Sequence, residues 1–212
     1  MRRSILLSFW FCEAPIIMSN PWDRPPLPIR GDDDQDTTHA AVGSVLTNWE
    51  NIEGELSHIF ALYIGKMWTN EAYDQYYEKG RTTKGRLQNL ETAANAYFVK
   101  SPNQEAEGAF CKLLEGVFGF ADRRHEAAHG IVRPIQWYGS LLPESSRPPP
   151  DSGFKFCLVP PHYQRTWIKD GKPEYIYTSK ELNSISLRLF TFLQAVLKFR
   201  FQYLPDPRRP QS

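Results

Sequence analysis

A run of apolar residues at helical spacing is the feature that most limits what this chain can fold into. From residue 38 to residue 63, over about seven turns, the sequence predicts one helix with a continuous apolar face. The residues on this face are Val42, Val45, Leu46, Trp49, Ile52, Leu56, Ile59, Phe60 and Tyr63. Such a face needs other elements to cover it, so the pattern predicts a helical core. Thr37 or Thr38 is the expected N-cap.

Four more helices are predicted from the same periodicity and from helix-breaking residues. They lie at about residues 71–78, 87–98, 102–129 and 179–201. Before the last helix the composition changes, because residues 154–159 are typical of a strand and residues 167–177 of a hairpin around Asp170-Gly171. The predicted fold class is therefore all-α, an antiparallel helical bundle with a small β-like insertion before the last helix.

The two ends of the chain have a different composition from the predicted domain, which covers residues 38–204. We expect residues 1–37 to form a poorly ordered arm, since this stretch is rich in proline and aspartate. Residues 1–17 are expected to lie upstream of the native start, because Met18 opens a polar segment. The apolar run at residues 5–12 resembles part of a signal peptide, but no small-residue cleavage site follows it. That run is too short to span a bilayer, so no membrane contact is expected. Residues 205–212 are predicted to be a flexible tail.

Charge and cysteine content exclude two classes of protein. The net charge of +1 excludes a nucleic-acid binder that works by bulk charge, although a local basic patch can still hold a phosphate. Cys12, Cys111 and Cys157 are far apart and show neither metal-ligand spacing nor a disulfide framework. We therefore expect reduced thiols and a cytoplasmic location.

The end of the fourth predicted helix carries an unusual group of basic residues. Arg124 is predicted to lie within the apolar stripe of this helix. The stripe centres on Phe110, Leu114, Val117, Ala121 and Ala128. By the same count, Arg123 and Glu126 fall on the solvated face. An arginine on the buried side keeps its charge, so Arg124 needs an anion or several acceptors.

Two histidines lie beside this arginine. His125 and His129 are four residues apart and therefore share one flank of the helix. Together with Arg124 they join a permanent cation to two groups that titrate near neutrality. This combination suits phosphodiester chemistry, in which arginine binds the phosphate and histidine moves protons.

The stretch Arg124-His125-Glu126-Ala127-Ala128-His129-Gly130 resembles the R-x4-6-H motif of the HEPN superfamily, commonly written Arg-polar-x-x-Ala-His-Gly. The surroundings are also similar: long helices, the motif near a helix end, then an irregular segment and a final amphipathic helix. The resemblance extends over about residues 38–203. His125 stands where asparagine is commoner, at a position that is polar and variable in the family.

The resemblance implies a metal-independent endoribonuclease that acts on RNA as a homodimer without a cofactor. In such proteins two copies of the motif meet across a two-fold axis and form one cleft. By this resemblance Arg124 would hold the scissile phosphate, and His129 would act as general base or acid at the ribose 2′-hydroxyl, leaving a 2′,3′-cyclic phosphate. His125 would position the substrate or the catalytic pair. Many relatives are toxins or phage-defence effectors, often paired with a nucleotidyltransferase-type antitoxin.

Helix geometry also bears on whether one chain can form this site alone. On an ideal helix, Arg124 and His129 diverge by about 140°. They converge only if the helix end is distorted or if a second copy supplies the other half. If the site is catalytic, dimerisation is therefore part of the mechanism.

Two other interpretations of the same residues remain open. The segment His125-Glu126-x-x-His129 also fits H-E-x-x-H, in which two histidines bind zinc and the glutamate activates water. A catalytic zinc needs a third protein ligand, for which only Glu174, Glu181 or His162 would serve, none of them in a convincing context. Alternatively, Arg124 pairs with a carboxylate across a helix or subunit interface and the histidines cap the helix end. A non-catalytic HEPN-like binding module belongs to this second interpretation.

Overall fold

The computed structural model describes residues 20–28, 30–66, 69–78, 80–141, 153–161, 168–169 and 172–204. These residues are mostly helical, which confirms the all-α prediction. The helices are α1 (Gln35–Tyr63), α2 (Asn70–Tyr77), α3 (Thr83–Lys100), α4 (Gln104–His129) and α5 (Ser179–Tyr203). Between α4 and α5 lie β1 (Ile131–Pro134), a 3-10 helix (Ile135–Leu141), β2 (Phe156–Val159), β3 (Ile168–Lys169) and β4 (Lys172–Pro173).

Side chains that accept backbone hydrogen bonds fix where the helices begin. Asp34 caps α1 by accepting from the Thr37 amide at 2.7 Å, so this helix begins a few residues before the predicted cap at Thr37 or Thr38. Asn103 caps α4 in the same way at 3.0 Å. At the start of α5, Thr178 and Glu181 form a capping box.

Helix α1 is the centre of the bundle and contacts each of the other four helices. Its predicted apolar face is confirmed, because the inward positions are fully buried: Val45, Trp49, Ile52, Leu56 and Ile59. The core extends from this face to residues such as Leu90, Val117, Phe120 and Leu189 on the surrounding helices. Burial of this continuous apolar surface is the main stabilising contribution to the fold.

The contacts between helices also give their directions. Helix α4 runs antiparallel to α1, since Phe110 near its start packs on Tyr63 and Arg124 near its end lies 3.7 Å from Glu50. Helix α5 runs in the same direction as α1, because its first residue Ser179 donates to Asp32 and its Arg200 pairs with Glu55. The antiparallel prediction therefore holds for α4 but is wrong for α1 and α5.

A small β insertion explains these directions. Strands β1 and β2 pair antiparallel with Ile131 opposite Val159, directly after α4. Tyr177 bridges Leu158 just before α5 begins. The chain thus returns to the end of the bundle where α4 stops, and α5 starts there. A second, smaller core of Ile135, Cys157, Val159 and Ile176 stabilises the insertion.

The strands agree with the sequence patterns in most places. β2 lies within the strand predicted at residues 154–159, and the pairing of β3 with β4 confirms the hairpin. The predicted strand at Tyr175–Tyr177 contributes only an isolated bridge at Tyr177. The turn residues Asp170-Gly171, His162 and the predicted arm and tail at residues 1–19 and 205–212 lie outside the described residues.

The proline-rich segment before α1 differs from the predicted disordered arm. Residues 20–28 lie across α4 and α5, where the Trp22 ring packs edge-on against Phe120 with ring centroids 6.1 Å apart. Asp32 bridges Phe156 and accepts from the amide and hydroxyl of Ser179 at 2.8 and 2.7 Å. This segment packs because its aromatic and charged groups find partners that are far away in sequence. Among the described residues, no helix combines the length and the apolar character needed to cross a membrane.

Candidate active site at the end of α4

The last two turns of α4 lie where several elements meet. Gly130 ends the helix, and its amide donates to the Glu126 carbonyl at 2.9 Å. A Cβ atom at Gly130 would lie 2.6 Å from the Leu158 side chain on β2, so only glycine lets the helix end pack this closely on the sheet. The motif residues are therefore held on a rigid corner between α4 and β1.

Arg124 is half-buried on the side of α4 that faces α1. Its side chain is 27% exposed, and one guanidinium nitrogen lies 3.7 Å from the Glu50 carboxylate on α1. The Nε atom is buried and has no hydrogen-bond partner among the described residues. The Glu50 side chain is 63% exposed, and an ion pair of this kind contributes little to stability. Arg124 therefore keeps hydrogen-bonding capacity for an anion.

His125 and His129 lie together on the exposed side of the helix end. Their ring centroids are 4.4 Å apart, with the ring planes at 61°. Partial burial lowers the pKa of His125 from its usual value, and the nearby positive charges of His129 and Arg124 lower it further. The neutral ring is favoured as a result, and a neutral imidazole can accept a proton at neutral pH.

Arg123 and Glu126 do not point to solvent, so their predicted placement is wrong. Arg123 is 7% exposed and Glu126 is 3% exposed. They form an ion pair with each other, with Nη2 of Arg123 3.1 Å from Oε1 of Glu126. Because each charge compensates the other, both can be buried.

The error comes from where the apolar stripe was placed along α4. The stripe passes through Leu113, Val117, Phe120 and Ala127, all of them buried, whereas Ala128 is exposed. Arg123 follows Phe120 by three positions and so lies on the same side. The predicted stripe includes the small residues Ala121 and Ala128, whereas the buried side follows the large Phe120.

Glu126 is the centre of a buried network that joins three parts of the chain. Its Oε1 accepts from Nε of Arg24 at 2.9 Å, and its Oε2 accepts from the Tyr177 hydroxyl at 2.6 Å. Burial, with the adjacent Glu126 carboxylate, raises the pKa of Tyr177, so this hydroxyl remains a donor. The Tyr175 hydroxyl donates to the Glu126 backbone carbonyl at 3.2 Å. The network fixes the last turns of α4 against the N-terminal segment and the insertion.

This network argues against the H-E-x-x-H interpretation, in which Glu126 would activate a zinc-bound water. A glutamate that activates a zinc-bound water needs to face an open site, but Glu126 is already satisfied by two arginines and a tyrosine. Two of the three suggested third ligands are also engaged: Glu174 pairs with Arg24, and Glu181 is part of the capping box of α5. Within the residues that the structure describes, no group of three or more potential ligands could hold a metal ion.

The structure thus brings together only part of the predicted set. The His125 and His129 rings are adjacent, and the Arg124 charge acts on His125. Arg124 itself faces α1, whereas the histidines are exposed, in line with the divergence expected on an ideal helix. The network residues Arg24 and Tyr177 were missed because their positions, 102 and 51 residues from Glu126, follow from tertiary packing.

Comparison with known proteins gives no match, whether to a family model, a curated protein or a solved structure.

Proposed function

We propose that this protein is a metal-independent endoribonuclease of the HEPN type that acts as a homodimer. One observation carries the proposal: two exposed imidazole rings 4.4 Å apart lie beside a half-buried arginine at the end of a packed helix. A permanent cation next to two imidazoles, one of them favoured in its neutral form, is suited to cleavage of a phosphodiester. The resemblance of residues 124–130 to the HEPN motif gives the reaction class.

In the proposed reaction each site residue has one role. Arg124 binds the scissile phosphate and stabilises the charge that develops in the transition state. His129 removes or supplies a proton at the ribose 2′-hydroxyl or the leaving oxygen, and the product is a 2′,3′-cyclic phosphate. His125, in contact with His129, positions the substrate or the catalytic pair.

The surroundings of Arg124 are compatible with anion binding. Its present partner Glu50 is an exposed carboxylate that can move into solvent, and the partly exposed guanidinium of Arg124 lies 3.7 Å from it, beyond hydrogen-bond distance. A phosphate that replaced Glu50 would receive charge-assisted hydrogen bonds from the guanidinium. This exchange requires no change in the core of the bundle.

A non-catalytic binding or structural module is the second candidate function. It is favoured by the Arg124–Glu50 ion pair, which already gives the arginine an acceptor across a helix interface. A zinc-dependent hydrolase is less compatible with the site, because Glu126 is buried between arginines.

The biological role proposed with this activity is that of a cytoplasmic toxin or phage-defence effector, with a nucleotidyltransferase-type antitoxin as its partner. Both parts of this role depend on the family resemblance.

Cleavage of RNA in the presence of EDTA tests the proposal directly. Wild type should cut single-stranded RNA and leave a 2′,3′-cyclic phosphate end. His129→Ala and Arg124→Ala should each reduce the rate by at least about 100-fold, since a positioned proton-transfer group and a group that stabilises transition-state charge are each worth about that much or more. Both variants should keep the wild-type circular dichroism spectrum, because neither side chain belongs to the buried core.

His39→Ala is the matched control, since His39 is an exposed histidine on α1 outside the pair. This variant, purified in parallel, should cut RNA at the wild-type rate. Cleavage that appears only with added zinc would support the hydrolase instead. Absence of cleavage by wild type, together with loss of stability in Arg124→Ala, would support the structural role.

A further inference from the structure

Trp137 is an exposed aromatic side chain in the segment that directly follows the candidate site. It is 59% exposed, although tryptophan is on average a highly buried residue. The 3-10 helix that carries it is anchored by Ile135 and Tyr138, which both pack in the second core. These two residues are three positions apart and share one face of a 3-10 helix, so Trp137 is held off that face.

Arg133 holds the Trp137 ring in place from one side. Its guanidinium carbon lies 5.6 Å from the ring centroid, a cation–π geometry. The Nε atom of Arg133 is buried and has no hydrogen-bond partner among the described residues. Arg133 therefore places a stacked cation on one face of an exposed aromatic ring.

A second exposed aromatic residue lies on the neighbouring segment. The side-chain Nε2 of Gln136 donates to the Gly153 backbone carbonyl at 2.6 Å, and its Oε1 accepts from the Lys155 backbone N–H at 3.2 Å. Phe154 lies between these two contacts and is 65% exposed. Two exposed large aromatics therefore lie on segments that the Gln136 hydrogen bonds join.

This surface is close to the histidine pair along a rigid path. Arg133 follows His129 by four residues, so their Cα atoms are at most about 14 Å apart. The path consists of the closely packed Gly130 and of β1, which is paired with β2. The distance between the two sites is therefore fixed, and a single strand can cover it within a few nucleotides.

We propose that Trp137 and Arg133 form a subsite that stacks an unpaired base of single-stranded RNA close to the histidine pair of the same chain. The inference rests on the proposed ribonuclease function and specifies its substrate as single-stranded. Aromatic rings bind unpaired bases by stacking, and arginine adds a cation for the adjacent backbone. Every base has a π-face, so the subsite tolerates any sequence but requires an unstacked base.

Binding is measured with inactive protein so that cleavage does not interfere. In a His129→Ala background, fluorescence anisotropy gives the Kd for labelled oligouridylate and for an abasic ribose-phosphate oligomer of equal length. Adding Trp137→Ala should weaken oligouridylate binding about 5- to 150-fold, the range for loss of one stacked base. Binding of the abasic oligomer should not change, and Trp137→Phe should keep most of the affinity.

Phe201→Ala is the matched control. Phe201 is 57% exposed, and the guanidinium carbon of Arg200 lies 4.5 Å from its ring centroid, so the two form a second arginine–aromatic pair. This pair is near the C-terminal end of α5, away from the end of α4. The variant should leave both affinities unchanged.

The possible failures can be told apart. If wild type cuts RNA but Trp137→Ala binds oligouridylate with unchanged affinity, the subsite proposal is wrong and the ribonuclease proposal is unaffected. If wild type binds without cutting and Trp137→Ala weakens binding of the base-containing oligomer alone, the subsite stands without the nuclease. Equal losses for both oligomers, or no RNA binding by the parent protein, would overturn the subsite.

Discussion

The side chains of residues 123–126, in one turn of α4, differ in burial and in their partners. Arg123 and Glu126 are buried and neutralise each other, whereas Arg124 reaches the interface with α1 and His125 is exposed. Two adjacent arginines thus differ in role because a rotation of about 100° separates them. The buried pair stabilises the helix end, and the other two residues lie outside it.

The role of Glu126 can be tested by removing its carboxylate. We expect Glu126→Ala to lower the free energy of unfolding by about 3 to 5 kcal/mol, because the buried Arg123 guanidinium loses its counter-charge. Urea denaturation measures the effect. Glu115→Ala, at an exposed site of the same helix, should change stability by less than about 0.5 kcal/mol. A stable Glu126→Ala protein would contradict the structural assignment and return Glu126 to the candidates for a catalytic base.

At the scale of elements, the sequence contains most of the information on helices and little on their contacts. The apolar face of α1 was predictable because large side chains recur at a constant period, and most of them are buried. The end of α4 was harder, since the buried stripe there includes a charged residue, Arg123, whose charge alone favours a solvent-exposed position. The His125–His129 pair was predictable from spacing alone, whereas the Glu126 network was not.

Packing of the N-terminal segment on α4 depends on a glycine. A Cβ atom at Gly119 would lie 2.3 Å from the Trp22 ring, whereas one at Gly108 has no atom within 4 Å. We expect Gly108→Ala to stabilise the protein by about 0.5 to 1 kcal/mol through helix propensity. Gly119→Ala should instead destabilise it by about 1 to 3 kcal/mol through overpacking.

A double variant separates the two effects at Gly119. In a Trp22→Ala background the steric conflict is gone, so Gly119→Ala should become stabilising, as Gly108→Ala is. Thermal and urea unfolding of the four proteins in this cycle give the coupling between the two sites. Equal effects of Gly119→Ala with and without Trp22 would show that the segment does not pack here.

At the scale of the whole molecule, distant parts of the chain converge on the end of the bundle that holds the motif. Asp32 contacts Ser179 across 147 positions, and Arg24 contacts Glu126 across 102. Such contacts follow from the directions of α1, α4 and α5, which local patterns do not specify. The result is a rigid corner on which Arg124 faces α1 and the histidines face outwards. One chain therefore presents the two halves of the proposed site in different directions.

This divergence leads to a prediction about assembly. If one cleft takes Arg124 from one protomer and His129 from its partner, then Arg124→Ala and His129→Ala proteins should complement each other when mixed. We expect the mixture to cut RNA at least about tenfold faster than either variant alone, because each missing group is worth about 100-fold or more. His129→Ala mixed with the double variant is the control and should stay inactive. An inactive complementation mixture, or sedimentation of cleaving wild type as a monomer, would place the whole site within one chain and require α4 to distort near His129.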